Sequence, residues 1–223
     1  MASPFPVAVL ASGRGSNLAA LIAAQRSGRL PIEIVLVAGD KAHAPALRLA
    51  EDAGLATLAL DPAGYANRAD FDADLFARIA AHSPALIVLA GYMRILDAAV
   101  LAPWVGRIIN IHPSLLPRYR GLRTHERAIA AGDTTHGASV HYVTSELDGG
   151  PVIAQAEIPI AIDATPATLA AQLLPHEHRM LADCVGLIAE RRVHLSGNIV
   201  HYEGRPLPAP LVLCADGLHA APA

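Results

Sequence analysis

Arg107-Ile108-Ile109-Asn110-Ile111-His112-Pro113-Ser114-Leu115-Leu116-Pro117-Arg118-Tyr119-Arg120-Gly121 passes from a buried strand into a proline-rich loop. Ile108, Ile109 and Ile111 are β-branched and apolar, as a buried strand requires. Asn110 and His112 interrupt that run two residues apart, so on a strand an amide and an imidazole face one side together. Pro113 cannot continue a central strand, which puts the pair at the carboxyl end. In an open α/β sheet that end is where ligands bind. An amide N–H and an imidazole N–H aimed at one point can stabilise an oxyanion as a carbonyl is attacked. The plainer alternative makes Asn110 a turn cap and His112 a satisfied core residue. The pairing directly before a proline-rich loop favours the chemical reading.

Working towards the N-terminus, residues 84–90 form a continuous apolar run, as in a parallel strand covered on both faces. The loop after it, Gly91-Tyr92-Met93-Arg94-Ile95-Leu96, is mostly apolar with one charge and suits a flat aromatic ligand or ordinary packing. A helix is expected from Asn67 to about Ala81, with Phe71, Leu75, Phe76 and Ile79 at amphipathic spacing. Arg68 falls in its first turn, where the helix dipole does not favour a cation, so it is a candidate ligand contact. Strands are expected at 34–38 and 56–60, and a helix at 45–53 that Gly54 ends.

At the start, a strand over 7–11 meets Ser12-Gly13-Arg14-Gly15-Ser16-Asn17 and then a helix. Glycines allow a tight turn and close approach of a ligand, and helix-opening N–H groups attract anions. Gly13 and Gly15 fit the first half of a dinucleotide fingerprint, and Asp40 suits a ribose contact. Leu18 replaces the third glycine, so a phosphate site is the expectation, with Ser16 or Asn17 as helix cap.

Towards the C-terminus, Thr124 is expected to cap a short helix, and 138–143 to form an alternating strand paired through a turn with 152–160. Asp148 stands on that turn before Gly149, Gly150 and Pro151. It is either a turn former or the carboxylate that keeps His112 charged. Thr165-Pro166 begins a long helix that Pro175 should kink or split. His176 and His178 do not share a helix face, and the eleven histidines show no metal-ligand spacing. A closing hairpin or edge strands are expected at 195–202, and the segment past Pro206 should be loosely held.

The composition agrees with a single α/β enzyme domain. The 223 residues are 53% hydrophobic and 17% charged, with net charge −3 and no basic field for nucleic acid. Cys184 and Cys214 have no paired spacing, which points to a reducing compartment, the cytoplasm by default. No apolar run reaches membrane-span length, and the opening apolar segment lacks the basic start of a signal peptide.

Four motifs in register then carry a resemblance. They are residues 11–18, 91–96, Asn110-Ile111-His112-Pro113-Ser114-Leu115-Leu116-Pro117 and Leu147-Asp148-Gly149-Gly150-Pro151. In this order and spacing the chain resembles the folate-dependent phosphoribosylglycinamide formyltransferases, from Val7 to about Pro208. The resemblance implies a Rossmann-like, mostly parallel sheet flanked by helices, in one formyltransferase domain over 1–223. Within it, the phosphate-binding half covers about 1–105, the folate-binding and catalytic half about 106–205, and a loose tail 206–223. It implies transfer of formyl from 10-formyltetrahydrofolate to the amine of glycinamide ribonucleotide in purine synthesis, with neither metal nor NAD. The implied catalytic trio is Asn110, His112 and Asp148. Gly15, Ser16, Asn17 and Glu177 would bind the ribonucleotide, and Arg68, Met93, Arg94, Ile95, Leu96 and Asn110 the folate. The expected partners are these small molecules, with no nucleic acid or membrane, and a homodimer is the assembly to test.

Two departures stand out. Arg120 replaces a proline that the family favours, giving a run also similar to methionyl-tRNA formyltransferase, and Pro175 precedes the Glu177 segment without a following Tyr-Pro. Methionyl-tRNA formyltransferase and formyltetrahydrofolate deformylase share the trio. The first adds a C-terminal β-barrel and the second an N-terminal regulatory domain, neither expected in this chain. A nicotinamide-dependent oxidoreductase leaves the trio unexplained, and a non-catalytic binder has no need of an oxyanion-donor pair.

Overall fold

A computed structural model describes residues 3–220, and these form an α/β fold whose sheet is mostly parallel and flanked by helices. The chain divides into two compact units, Met1–Asn110 and Ile111–Ala223.

The first unit is a run of β-α repeats. Its strands are β1 (Phe5–Leu10), β2 (Ile32–Gly39), β3 (Thr57–Ala59), β4 (Leu86–Leu89) and the first residues of β5 (Ile108–His112). They pair in parallel in the order β5-β4-β1-β2-β3, with Val9 opposite Val37 on one side and Val88 on the other. Val7 through Leu10 and Ile87 and Val88 have no solvent exposure, which is why these strands read as unbroken apolar runs. The helices are α1 (Ser16–Arg26), α2 (Pro45–Asp52), α3 (Arg68–Ala81) and the short α4 (Ala98–Leu101). Asn67 caps α3 as expected, its side chain accepting from the Asp70 N–H at 2.9 Å. Phe71, Leu75 and Ile79, at four-residue spacing, are fully buried or nearly so.

The second unit holds β6 (Thr135–Tyr142) and β7 (Val152–Pro159) as an antiparallel pair, with α5 (Thr124–Ala130) before them and α6 (Pro166–Ala189) packed on both strands. A separate antiparallel sheet of β8 (Val193–Ser196), β9 (Ile199–Tyr202) and β10 (Arg205–Pro206) contains the expected hairpin.

Five expectations need correction. Neither Ser16 nor Asn17 caps α1; the N-cap is Gly15 at φ +79°, and a β-carbon there would lie 2.8 Å from Ala46. That contact and that dihedral both require glycine. Thr124 is already helical, and Arg123, left-handed at φ +56°, is the N-cap of α5. Strand β6 does not alternate, because all but its first residue is buried. Pro175 does not split α6: the helix is continuous, and the buried Leu169, Leu173, Glu177 and Leu181 carry one face past the proline. Burying those side chains, at roughly 1.5–3 kcal/mol for each leucine, offsets the lost helix bond. The segment past Pro206 is not loose. Its residues form β11 (Leu211–Cys214), parallel to β7 with Leu211 opposite Ala154, and β12 (Gly217–His219). Leu211 is fully buried, an anchor that the proline- and alanine-rich composition hides. Residues 221–223 of that expected tail lie outside the described residues.

Candidate active site

In the first unit, β1 ends at a glycine loop fastened from both sides. Ser12 donates its N–H to the Gly91 carbonyl at 3.1 Å and accepts the Met93 N–H on Oγ at 3.0 Å, while Ala46 donates to the Gly13 carbonyl at 3.1 Å. No side chain caps the start of α1, and Gly15 lets a ligand approach the N–H end of the helix. This geometry suits an anionic oxygen cluster such as a phosphate.

The same serine ties the glycine loop to the loop over 91–96. There Tyr92 and Leu96 are buried, whereas Met93 and Ile95 are 65% and 51% exposed. Two anchored residues thus hold two apolar side chains outward, a surface for a flat ring. Arg94 turns inward, its guanidinium 4.8 Å from the Phe71 ring centroid. Arg68 stays half-exposed, 3.8 Å from Asp97, whose N–H donates to the buried Asp72 carboxylate at 2.8 Å. Burial raises the pKa of Asp72.

Strand β5 carries Asn110, half-buried and opposite Leu89 of β4, and, two residues on, the buried His112. His112 Nε2 lies 3.0 Å from the Tyr119 carbonyl and Nδ1 lies 3.5 Å from Asp148 Oδ2. Both neighbours are acceptors, one on each ring nitrogen. The sequence expectation that Asp148 folds back on His112 therefore has its contact. Asp148 adopts φ +47° on the turn between β6 and β7, and its Oδ2 also accepts the Gly121 N–H at 2.8 Å. Gly150 is obligatory: a β-carbon there would sit 1.9 Å from the Tyr142 carbonyl oxygen. Arg120, the departure from the family pattern, forms an ion pair with Glu146 and fastens the post-β5 loop to the segment entering that turn. Arg127 Nη1 supports it by donating to the Arg120 carbonyl at 2.6 Å. Glu177 is buried on α6.

Sequence reading passed over three further histidines. His141 of β6 places Nε2 3.7 Å from Asp148 Oδ1 and bonds the Tyr142 carbonyl through Nδ1 at 2.9 Å. Burial pushes its pKa down. His125 and His136 meet at 3.0 Å, and burial lowers both, His136 to about 4. Only the position of His141 seven residues before Asp148, on the strand leading into the same turn, hinted at its place. Among the described residues, no group of three or more His, Cys, Asp or Glu side chains could hold a metal ion.

The formyl transferase sequence profile matches residues 6–185. This chain belongs to the formyl transferase family. It is 40% identical to the phosphoribosylglycinamide formyltransferase of Escherichia coli K12 over 202 residues, 91% of this chain and 95% of that one. Among solved structures, the phosphoribosylglycinamide formyltransferase of Coxiella burnetii superposes with a TM-score of 0.88 at 45% identity, covering 92% and 96% of the two chains. Glycinamide ribonucleotide transformylase 1 of Symbiobacterium toebii gives 0.87 at 39% identity, covering 91% and 95%.

Proposed function

We propose that this chain transfers the formyl group of 10-formyltetrahydrofolate to the amine of 5'-phosphoribosylglycinamide, a step of purine synthesis, without metal or nicotinamide. The observation that carries the chemistry is His112 held between two acceptors, one of them the buried Asp148 carboxylate. Similarity to formyltransferases along nearly the whole chain carries the choice of substrates.

The amine nitrogen attacks the formyl carbon, forming a C–N bond and moving the carbonyl electron pair onto oxygen. His112 Nε2–H and the Asn110 amide donate to that oxyanion, a kind of contact worth about 3 kcal/mol per donor. The Tyr119 carbonyl lies 3.0 Å from His112 Nε2 and accepts its N–H. The oxyanion replaces it. Asp148 keeps the imidazolium paired and takes, through water, the proton that the attacking nitrogen must lose. The tetrahedral carbon then expels N10 of the folate, which receives a proton, and the carbonyl re-forms. Gly15, Ser16 and Asn17 take the ribonucleotide phosphate and Glu177 its ribose. Met93, Ile95, Leu96 and the backbone at Arg94 line the folate ring site with Asn110, and Arg68 meets the anionic tail. Holding both substrates in line contributes the proximity term.

The free Cys184 and Cys214 support a reducing cytoplasmic setting, and no described helix is long and apolar enough to cross a membrane. Optical measurement of folate release from 10-formyltetrahydrofolate, with and without glycinamide ribonucleotide, tests the reaction. Release that depends on the ribonucleotide is expected. Release to water alone would make the chain a deformylase, and no release in either case would refute formyl transfer.

A further inference from the structure

His112 Nε2 is aimed by the Tyr119 carbonyl, 3.0 Å away. A carbonyl only accepts, so the contact puts a proton on Nε2 and sets the direction in which it points. That direction depends on a backbone conformation that tyrosine does not favour by itself. Tyr119 sits in the left-handed region at φ +55°, where a residue with a β-carbon is disfavoured.

The side chains of this segment end on one carboxylate. The Tyr119 hydroxyl donates to Asp133 Oδ2 at 2.6 Å, and Arg118 Nη2 donates to Asp133 Oδ1 at 2.6 Å. Arg118 Nη2 also donates to the Tyr119 hydroxyl oxygen at 3.0 Å, so the three groups close a ring of hydrogen bonds. The Asp133 side chain is only 13% exposed. It stands just past α5, where its N–H donates to the Ala128 carbonyl at 3.2 Å, so the end of a helix roots the anchor. Two other bonds pin the backbone nearby: the Ser114 hydroxyl donates to the Arg118 carbonyl at 2.7 Å, and Arg127 to the Arg120 carbonyl at 2.6 Å. They place the loop but leave the peptide plane between residues 119 and 120 able to turn about its flanking bonds. The side chain anchored at Asp133 opposes that turn from the Tyr119 side.

We infer that Asp133 is a positioning residue for formyl transfer: through Tyr119 and Arg118 it holds the Tyr119 carbonyl where that carbonyl aims the His112 Nε2–H. This rests on the formyl-transfer reading and deepens it. Without the anchor, Tyr119 relaxes out of the left-handed region, its carbonyl swings off Nε2, and the imidazole loses one of the two contacts that orient it. Arg118 already neutralises the carboxylate, so Asp133 acts through geometry. An amide of the same shape can then stand in for it, its oxygen accepting from Arg118 and its NH2 donating to the Tyr119 hydroxyl oxygen.

The test compares three variants of the full chain. Asp133→Ala should lower kcat about 10- to 100-fold, the scale set by a misplacement near 1 Å at the reacting groups. Both KM values should stay unchanged, because Asp133 is not among the groups proposed to bind either substrate. Asp133→Asn should recover most of the lost kcat, and Tyr119→Phe, which removes only the hydroxyl, should lower kcat by a smaller factor. A merely structural role would lower the unfolding temperature and leave kcat of the folded protein unchanged, and that result overturns the inference. An asparagine variant as slow as the alanine one, or full turnover in Tyr119→Phe, overturns it as well. A 15N-histidine spectrum reads the same placement without turnover. It should show the His112 Nε2 signal shifted in Asp133→Ala and close to wild type in Asp133→Asn; a signal unmoved in the alanine variant refutes the inference. If Asp133→Ala does not fold, Tyr119→Phe carries the spectral comparison. Failure of the functional reading is seen separately, as a wild-type protein that transfers no formyl to glycinamide ribonucleotide, and it takes the inference with it.

Discussion

Replacing Asp148 with Asn removes one charge while keeping side-chain size. The carboxylate lies 3.5 Å from His112 Nδ1, and the two side chains are 9% and 7% exposed, so solvent screens the pair little. At an effective dielectric near 20, opposite unit charges at that separation attract by about 4–5 kcal/mol. In the proposed mechanism this attraction holds a protonated His112 in place for the oxyanion, so its loss predicts a kcat lowered by about a thousandfold. An asparagine oxygen can still accept the Gly121 N–H that Oδ2 accepts at 2.8 Å. Stability should therefore fall only slightly, by about 1 kcal/mol for exchanging a charged for a neutral acceptor. Folate release under saturating substrates measures kcat, and thermal unfolding measures the fold. A variant that keeps more than about a tenth of wild-type kcat would refute the electrostatic account, because the lost attraction would then be under about 1.4 kcal/mol.

Three further outcomes follow from the same geometry. His112→Ala should leave glycinamide ribonucleotide binding intact by calorimetry while abolishing turnover; full activity would remove His112 from the mechanism. Gly150→Ala puts a β-carbon 1.9 Å from the Tyr142 carbonyl oxygen, an overlap of backbone atoms that no rotamer relieves, and should cost roughly 3 kcal/mol or more in denaturant unfolding. The buried His136 is held neutral, its pKa down at about 4 from an ordinary 6.5 chiefly by burial. Its contribution to stability is complete above pH 6.5 and is lost as the pH falls from there towards 4, up to about 3 kcal/mol. His136→Gln should flatten the fall in unfolding free energy between pH 7 and 5, and an unchanged slope would show that His136 does not titrate this way.

How much of this was legible depends on whether the signal was local. The strands β1 and β4 show themselves because parallel strands covered on both faces must be apolar throughout, and the helix over Arg68–Ala81 because Asn67 and its apolar spacing agree. The pairing of Asn110 with His112 is a period-2 fact and needs no tertiary information. The tail was illegible for the opposite reason. The proline- and alanine-rich composition past Pro206 carries no sign of β7, more than fifty residues earlier, against which Leu211 and Val212 pair. The helix starts at Gly15 and Arg123 were misread because left-handed caps depend on what the next element leaves room for, here Ala46 against Gly15. His141, His125 and His136 carry no motif. Each becomes chemically meaningful only through a partner that the turn at Asp148 or the loop after β5 brings to it.

The contact between His112 and the Tyr119 carbonyl decides how those parts work together. Tyr119 is held at φ +55° by its own hydroxyl on Asp133 at 2.6 Å, with Arg118 bonding the same carboxylate at 2.6 Å. Its carbonyl thereby gives the His112 Nε2–H a neutral acceptor at 3.0 Å. A neutral amide oxygen is a poorer partner for an imidazolium than a full oxyanion, because charge-assisted bonds are roughly twice as strong. In the proposed transfer, exchanging one acceptor for the other therefore favours the transition state over the resting state, the differential binding that lowers a barrier. A donor left facing water would instead be solvated, and stripping that water would consume part of the gain. In the proposed mechanism, the loop after β5 thus keeps the His112 donor aligned at the cost of a bond weak enough for the reaction to displace.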